Sequence, residues 1–333
     1  MNTMNCVKGI IAVAAIMFFA SACAPDTSMA EPGEADFPRS NISGVVMWGA
    51  GGGTDSLMRP LSALAESELG VSIVIQNMTG AAGSVATQFV YDSPATGYTL
   101  LMGAENPALY QALGISLLTY DDFATVFLIG DETVGIAVRA GSPFYSFTGL
   151  VGAALNSPGE IRLSTTGVGG LPWTVSAFIT DVTGATFNQI PYDSDASAMT
   201  AVLNGEVDFT VVKVQTGLAS YEAGLLNFLT MLSTEPVPNM PDVPLVTAEF
   251  PGFNQYLPWG PFYGVFVRND TPADIVAILS SAFSAAAQDP AYREVLENFN
   301  INFLGLSGAE ADAFISAWQE NTINALRASG AID

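Results

Sequence analysis

Two stretches of this chain concentrate residues able to hold a charged group: "GAGGGTD" at 49–55 and "STTGVGG" at 164–170. Each follows a short apolar run and precedes a helical pattern. Glycines let backbone N–H groups approach a ligand closely, and a helix beginning there adds unpaired N–H groups and the positive end of its dipole. Such a loop holds an anion with no cationic side chain. A plain strand-to-helix turn would use one or two glycines, not four followed by Thr54 and Asp55. The dinucleotide fingerprint G-x-G-x-x-G fails, because Thr54 is sixth from Gly49, and no lysine is present for a phosphate-binding P-loop. The chain has no histidine, which removes Ser-His-Asp and Cys-His catalysis and every imidazole metal site. Its two cysteines, Cys6 and Cys23, precede the folded body, which therefore has no internal disulfide. No nucleophile–base constellation emerges, and neither a metal nor a cofactor is expected.

The elements that position these loops alternate in type. "GVVMWG" and "VSIVIQN" read as strands around an amphipathic helix from about Ser56 to Glu68. "TLLMGA" and "TVFLIG" follow, with a helical piece between them. From "GIAVRA" at 135–140 the pattern restarts: a helix near 146–155, the strand "IRLSTTG", a helix from Trp173 to Val182, "FNQIPY", a helix near 195–203 and the strand "VDFTVV". The last stretch holds "YGVFVRN", the helix "PADIVAILSSAFSAAAQ", "INFLGL" and the amphipathic "EADAFISAWQENTINALRA". This is an α/β chain made of two units, each a parallel or mixed sheet with helices on its faces. The two glycine loops, at the carboxyl ends of strands, can close on one small molecule.

The first 22 residues predict an export signal: Lys8, the apolar "GIIAVAAIMFFA", then Ala20-Ser21-Ala22. Cys23 resembles a lipidated lipoprotein N-terminus, although leucine is usual where Ala20 sits. Ordinary cleavage at that bond or after Ala30, leaving a soluble protein, is the alternative. The Pro-, acid- and Ser-rich residues 23–41 read as a flexible tether. The formal charge of -23 disfavours nucleic-acid or anionic-membrane partners, which call for clustered Lys and Arg. The acidic residues are scattered, as on a solvated surface.

The chain resembles the extracytoplasmic solute-binding receptors of tripartite tricarboxylate transporters. The resemblance covers roughly 42–330 and is carried by "WGAGGGTD", "IQNMTGAAG", "GYTLLMG", "NPALY", "TYDDFATV", "STTGVGG", "IPYDSDASAMTAVLNGEVD" and "MPDVPLVTAEFPGF", in that order. It implies a two-lobed type II periplasmic-binding-protein fold, with 42–132 and 264–333 as lobe 1, 133–263 as lobe 2, and a ligand cleft between them. It implies a periplasmic or membrane-anchored monomer that captures a small organic carboxylate and delivers it to membrane permease subunits. A sensor acting on a signalling partner would share the same site. By the same resemblance the ligand contacts are Trp48, Gly51, Gly52, Gly53, Thr54 and Asp55 from the first loop. The second lobe supplies Thr165, Thr166, Gly167, Gly169, Gly170, Pro191 and Tyr192.

Leu171, Pro172 and Trp173 replace a polar set usual after the second loop, and Trp173 reads either as a cleft wall, included among the contacts, or as core. Asp193-Ser194 stands where a basic residue and glycine are common. Glu105 occupies a position usually small or hydroxylated. Lys213, the only lysine after Lys8, reads as a partner of Asp193, a ligand contact or a surface residue.

Overall fold

The computed structural model describes residues 37–192 and 195–333. The export signal, Cys23, most of the tether, and Asp193 with Ser194 lie outside the described residues. Ile42–Val46 (β1) runs into the helix Gly53–Leu69 (α1), and the chain returns as Ile73–Asn77 (β2), parallel to β1. The helix Ser84–Asp92 (α2) leads to Thr99–Ala104 (β3), parallel to β1 on its other side. α1 buries Leu57, Met58, Leu61, Ala65 and Leu69, the 3.6-residue stripe its sequence shows. It ends at Gly70, whose φ of 70° gives the left-handed stop that glycine adopts without a Cβ penalty.

Phe123–Glu132 (β4) is a ten-residue strand, nearly all of it buried, whose apolar and aromatic run suits the middle of a covered sheet. After Thr133 the chain enters a second sheet as Val134–Arg139 (β5). That sheet is completed by Phe147–Asn156 (α3), Arg162–Thr165 (β6), Leu171–Thr183 (α4), Asn188–Pro191 (β7), Asp195–Asn204 (α5), Phe209–Lys213 (β8), Val214–Glu222 (α6) and Leu226–Leu232 (β9). Past the short helix Val246–Glu249 (α7), Phe262–Arg268 (β10) re-enters the first sheet. It pairs antiparallel with both β3 and β4. Ala273–Ala287 (α8), Pro290–Asn298 (α9), Ile301–Leu306 (β11) and Gly308–Ala328 (α10) finish the chain. The strand orders are β11-β4-β10-β3-β1-β2 and β7-β6-β8-β5-β9, two mixed sheets of a two-lobed fold.

The two crossings between sheets lie side by side. Glu132 N–H donates to Pro261 O at 2.9 Å, and Val214 N–H donates to Thr133 O at 3.0 Å. Behind them an aromatic stack ties α4 to α10. Phe178 stacks on Tyr256 with centroids 4.5 Å apart and meets Trp259 edge-on at 4.8 Å, and Trp259 stacks on Trp318 at 5.7 Å. Both indoles are satisfied, Trp259 Nε1 by Thr322 Oγ1 and Trp318 Nε1 by Gly260 O, each at 2.9 Å. Aromatic pairs with satisfied polar edges are strong packing units.

Several elements differ from the sequence reading. α1 begins at Gly53 rather than Ser56, which puts Gly53, Thr54 and Asp55 in its first turn. The helical piece expected between β3 and β4 consists of two 3-10 turns, Asn106–Leu109 and Tyr120–Asp122. β10 begins at Phe262, two residues before the lobe boundary drawn from the sequence. The helices α2, α6 and α9 and the strand β9 escape the sequence reading, since short segments carry little periodic signal.

Candidate functional site

The carboxyl ends of β1, β3, β6 and β8 converge on one cavity of about 580 Å³, a size suited to a small organic ligand. β1 delivers Trp48, Gly52, Gly53 and Thr54 to its wall, and β6 delivers Thr166, Val168, Gly169, Gly170 and Leu171. Glu105 and Asn106 come from the end of β3, Lys213 from the end of β8, Asp195 from the start of α5, and Tyr263 from β10.

Both loops end in helices whose N-caps, Gly52 and Gly170, carry no capping side chain. In the first turn of α1 the N–H groups of Gly53 and Thr54 have no acceptor among the described residues, and the Thr54 hydroxyl makes no hydrogen bond there either. These are donors free for an anion at a helix N-terminus. In α4 the second helical residue is Pro172, which has no N–H to offer.

Asp55 holds the first loop in shape. Its Oδ2 accepts from Gly51 N–H and from Arg59 Nε, both at 2.9 Å, and its Oδ1 accepts from Asn77 Nδ2 at 2.8 Å. Asn77 Nδ2 also reaches Trp48 O at 2.8 Å, and Arg59 Nη2 reaches Asn77 Oδ1 at 2.8 Å. Burial would raise the Asp55 carboxyl's pKa. The bonds from Arg59, Gly51 and Asn77 outweigh it and hold the value at about 2.

Lys213 is neither a surface lysine nor free. Its Nζ donates to the Tyr263 hydroxyl at 2.9 Å and lies 3.5 Å from Glu132 Oε2, and Tyr263 donates to the same oxygen at 2.6 Å. This cluster joins the second sheet to the first at the crossing. Burial disfavours the lysine's charge, but Tyr263, Glu132 and Glu105 around it more than offset that and keep it protonated.

Of the residues assigned from the resemblance, Trp48, Gly52, Gly53, Thr54, Thr166, Gly169 and Gly170 line the cavity. Gly51, Asp55, Thr165 and Gly167 shape the loops behind it: Thr165 is buried, and its Oγ1 accepts from Gly167 N–H at 3.3 Å. Trp173 packs against the main core instead of lining the cavity. Tyr192 packs on the second sheet's own cluster, and Pro191 is exposed at the end of β7. Tyr263, Glu132, Asn106 and Asp195 escaped the sequence reading. Only the fold brings the two crossings, and with them Glu132, Tyr263 and Lys213, to one point. Among the described residues no cluster of acidic, cysteine or histidine side chains could hold a metal ion, and no helix is long and apolar enough to cross a membrane.

Two sheets joined by paired crossings, with a ligand-sized cavity at the carboxyl ends of their strands, define a two-lobed binding protein of the periplasmic type. The sequence pattern described as the tripartite tricarboxylate transporter family receptor matches residues 57–326, and the chain belongs to that family. BugT of Bordetella pertussis (strain Tohama I) is 28% identical over 273 residues, 80% of this chain and 82% of that protein. The fold is shared with R. palustris Rpa4515 solved with adipate, at a TM-score of 0.77, 23% identity and coverage of 89% of this chain and 99% of that one. It is shared also with MatC of Rhodopseudomonas palustris solved with bound malate, at a TM-score of 0.72, 23% identity and coverage of 88% and 100%.

Proposed function

We propose that the chain is an extracytoplasmic receptor that captures a small organic carboxylate between its glycine loops and delivers it to the membrane subunits of a tripartite transporter. The observation that carries this reading is the pair of side-chain-free helix N-termini facing one cavity, with the Gly53 and Thr54 N–H groups unspent. A carboxylate is the simplest partner for such donors. The relatives solved with adipate and with malate support it. Cavity contact falls to Trp48, Gly52, Gly53, Thr54, Thr166, Gly169 and Gly170, and the role is binding, not turnover.

Mass spectrometry of small molecules co-purifying with the full chain, followed by calorimetric titration of what is found, tests the proposal. A carboxylate of roughly micromolar affinity, about -8 kcal/mol, is expected. A neutral or cationic solute as the best ligand, with affinity untouched by Thr54→Val, refutes it. Anchoring of the receptor through acylated Cys23 is the accompanying proposal, checked by detergent partitioning of wild type against Cys23→Ser.

A further inference from the structure

The cavity is not a uniform anion trap. Its first lobe offers two kinds of group: the loop after β1 has free N–H donors, and the end of the neighbouring strand β3, paired in parallel with β1, offers acceptors. Glu105, half-buried directly after β3, lines the cavity, and its carboxylate receives no hydrogen bond from another residue among the described ones. Its neighbour Asn106 lines the same wall, and the Asn106 Oδ1 is enclosed with no donor in reach. Asp195 adds a third acceptor group at the rim.

Lys213 does not balance them. It is the one basic side chain of the lining, and it is already engaged by Tyr263 and Glu132. Counting Glu132, three carboxylates face one ammonium. Burial pushes the Glu105 carboxyl's pKa up, Lys213 opposes the rise, and Glu132 with Asp195 adds to it. These are the signs of a carboxylate short of positive partners. A ligand with a second carboxylate against this wall would meet like charge in a confined space, a strong source of discrimination between ligands.

We propose that Glu105 determines specificity by forming a subsite for an ammonium group, so that the preferred ligand is a carboxylate that also carries a cationic nitrogen. The inference rests on the carboxylate reading above. It gives the cavity two subsites: backbone donors after β1 for the carboxylate and the Glu105 carboxylate after β3 for the ammonium. A donor from the ligand then bonds a carboxylate that no other described residue hydrogen-bonds.

Two matched triplets, titrated calorimetrically into the full chain, provide the test. One is succinate, 4-aminobutanoate and butanoate, and the other is adipate, 6-aminohexanoate and hexanoate. Within the better-binding triplet the amino acid should bind at least about tenfold more tightly than the dicarboxylate, the scale on which one misplaced charge is rejected. Glu105→Gln keeps the shape and removes the charge. It should weaken the amino acid about tenfold, tighten the dicarboxylate, and leave the monocarboxylate nearly unchanged. A purely structural role for Glu105 would lower all three together, and that result overturns the proposal, as does a wild-type preference for the dicarboxylate. If Thr54→Val weakens every carboxylate while Glu105→Gln leaves the ranking intact, the ammonium subsite is wrong and the carboxylate reading stands. If no member of either triplet binds, the carboxylate reading fails and the subsite falls with it.

Discussion

The two glycine loops have similar sequences and sit at equivalent strand ends, yet they are built differently. The first is braced from within. Asp55, with its side chain about 5% exposed, ties the loop at Gly51, the helix at Arg59 and the next strand at Asn77, while Asn77 returns to Trp48. The second has no charged brace among the described residues. It is held by the Gly167 N–H bond to Thr165, the Gly170 N–H bond to Gly167 O, and Tyr192 N–H to Thr165 O. Its tip residue Val168 is 67% exposed. The ion pair that serves the second sheet, Arg162 with Asp208, lies at the far end of β6. One loop is therefore braced before a ligand binds, and the other is expected to leave more of its ordering to the ligand. Preorganisation lowers the ordering cost of binding on one side, and the softer side adapts.

Breaking the brace should have the largest effect. Asp55→Ala leaves the Gly51 N–H, Arg59 and Asn77 without their acceptor, and a loss of about 2–3 kcal/mol in folding stability is expected at neutral pH, from the usual cost of orphaning a buried charged network. The pH dependence has a definite sign. The folded carboxyl titrates at about 2, below the ordinary 3.8. Its ionisation therefore contributes up to about 2 kcal/mol that is fully present above about pH 5, shrinks as pH falls through 4, and is gone below about 2. Urea denaturation at pH 7 and pH 3 checks this: the deficit of the variant should be smaller in acid. An equal deficit at both values would mean that the brace acts by packing alone.

The second loop is probed by two glycines with different surroundings. Gly167 and Gly169 have φ of 94° and 80°, a region that costs an L-residue about 1–2 kcal/mol. A Cβ at Gly167 would meet nothing within 4 Å, whereas one at Gly169 would meet Leu113 Cδ1 of the first lobe at 2.6 Å. Gly169→Ala should therefore weaken binding about tenfold more than Gly167→Ala, where a tenfold change corresponds to about 1.4 kcal/mol. The double variant Gly169→Ala/Leu113→Ala should return to the Gly167→Ala level if approach of the two lobes is what the Cβ blocks. No recovery would place the whole cost in the backbone.

This contrast shows what the sequence reading could reach. The two loops, the α/β alternation and the two-unit organisation were legible because glycine clusters and apolar periods are local signals. The brace is not legible there, because the hydrogen bonds of Asp55 depend on Asn77, 22 residues away in β2. Trp173 could be wall or core because a helix start does not reveal which face its side chain takes, and the fold packs it against the core. Lys213 and Glu105 stood out as unusual residues. Their meaning came only with Tyr263 and Glu132, which the two sheet crossings bring together from positions 131 residues apart.

The smallest expected effect sharpens the comparison most directly. Thr54 and Thr166 are hydroxyl residues that line the cavity from the first and the second loop. Thr54 is 4% exposed in the first turn of α1, beside the braced loop, so its hydroxyl is held in place before the ligand arrives. Thr166 lies in the loop with no charged brace among the described residues, and its side chain is expected to be ordered only with the ligand. A hydrogen bond to a charged group contributes about 1.5–3 kcal/mol, and immobilising a free side chain takes back about 0.5–1.5. Thr54→Val should accordingly weaken carboxylate binding about tenfold or somewhat more, and Thr166→Val only about threefold. Calorimetry on both variants with one carboxylate ligand decides it, with the enthalpy as a second readout. Loss at Thr54 should cost enthalpy with little entropy relief, whereas loss at Thr166 should be partly repaid by entropy. Equal losses with equal enthalpies would mean that both loops are equally ordered before binding, and that the Asp55 network supports the fold without distinguishing one side of the cleft from the other.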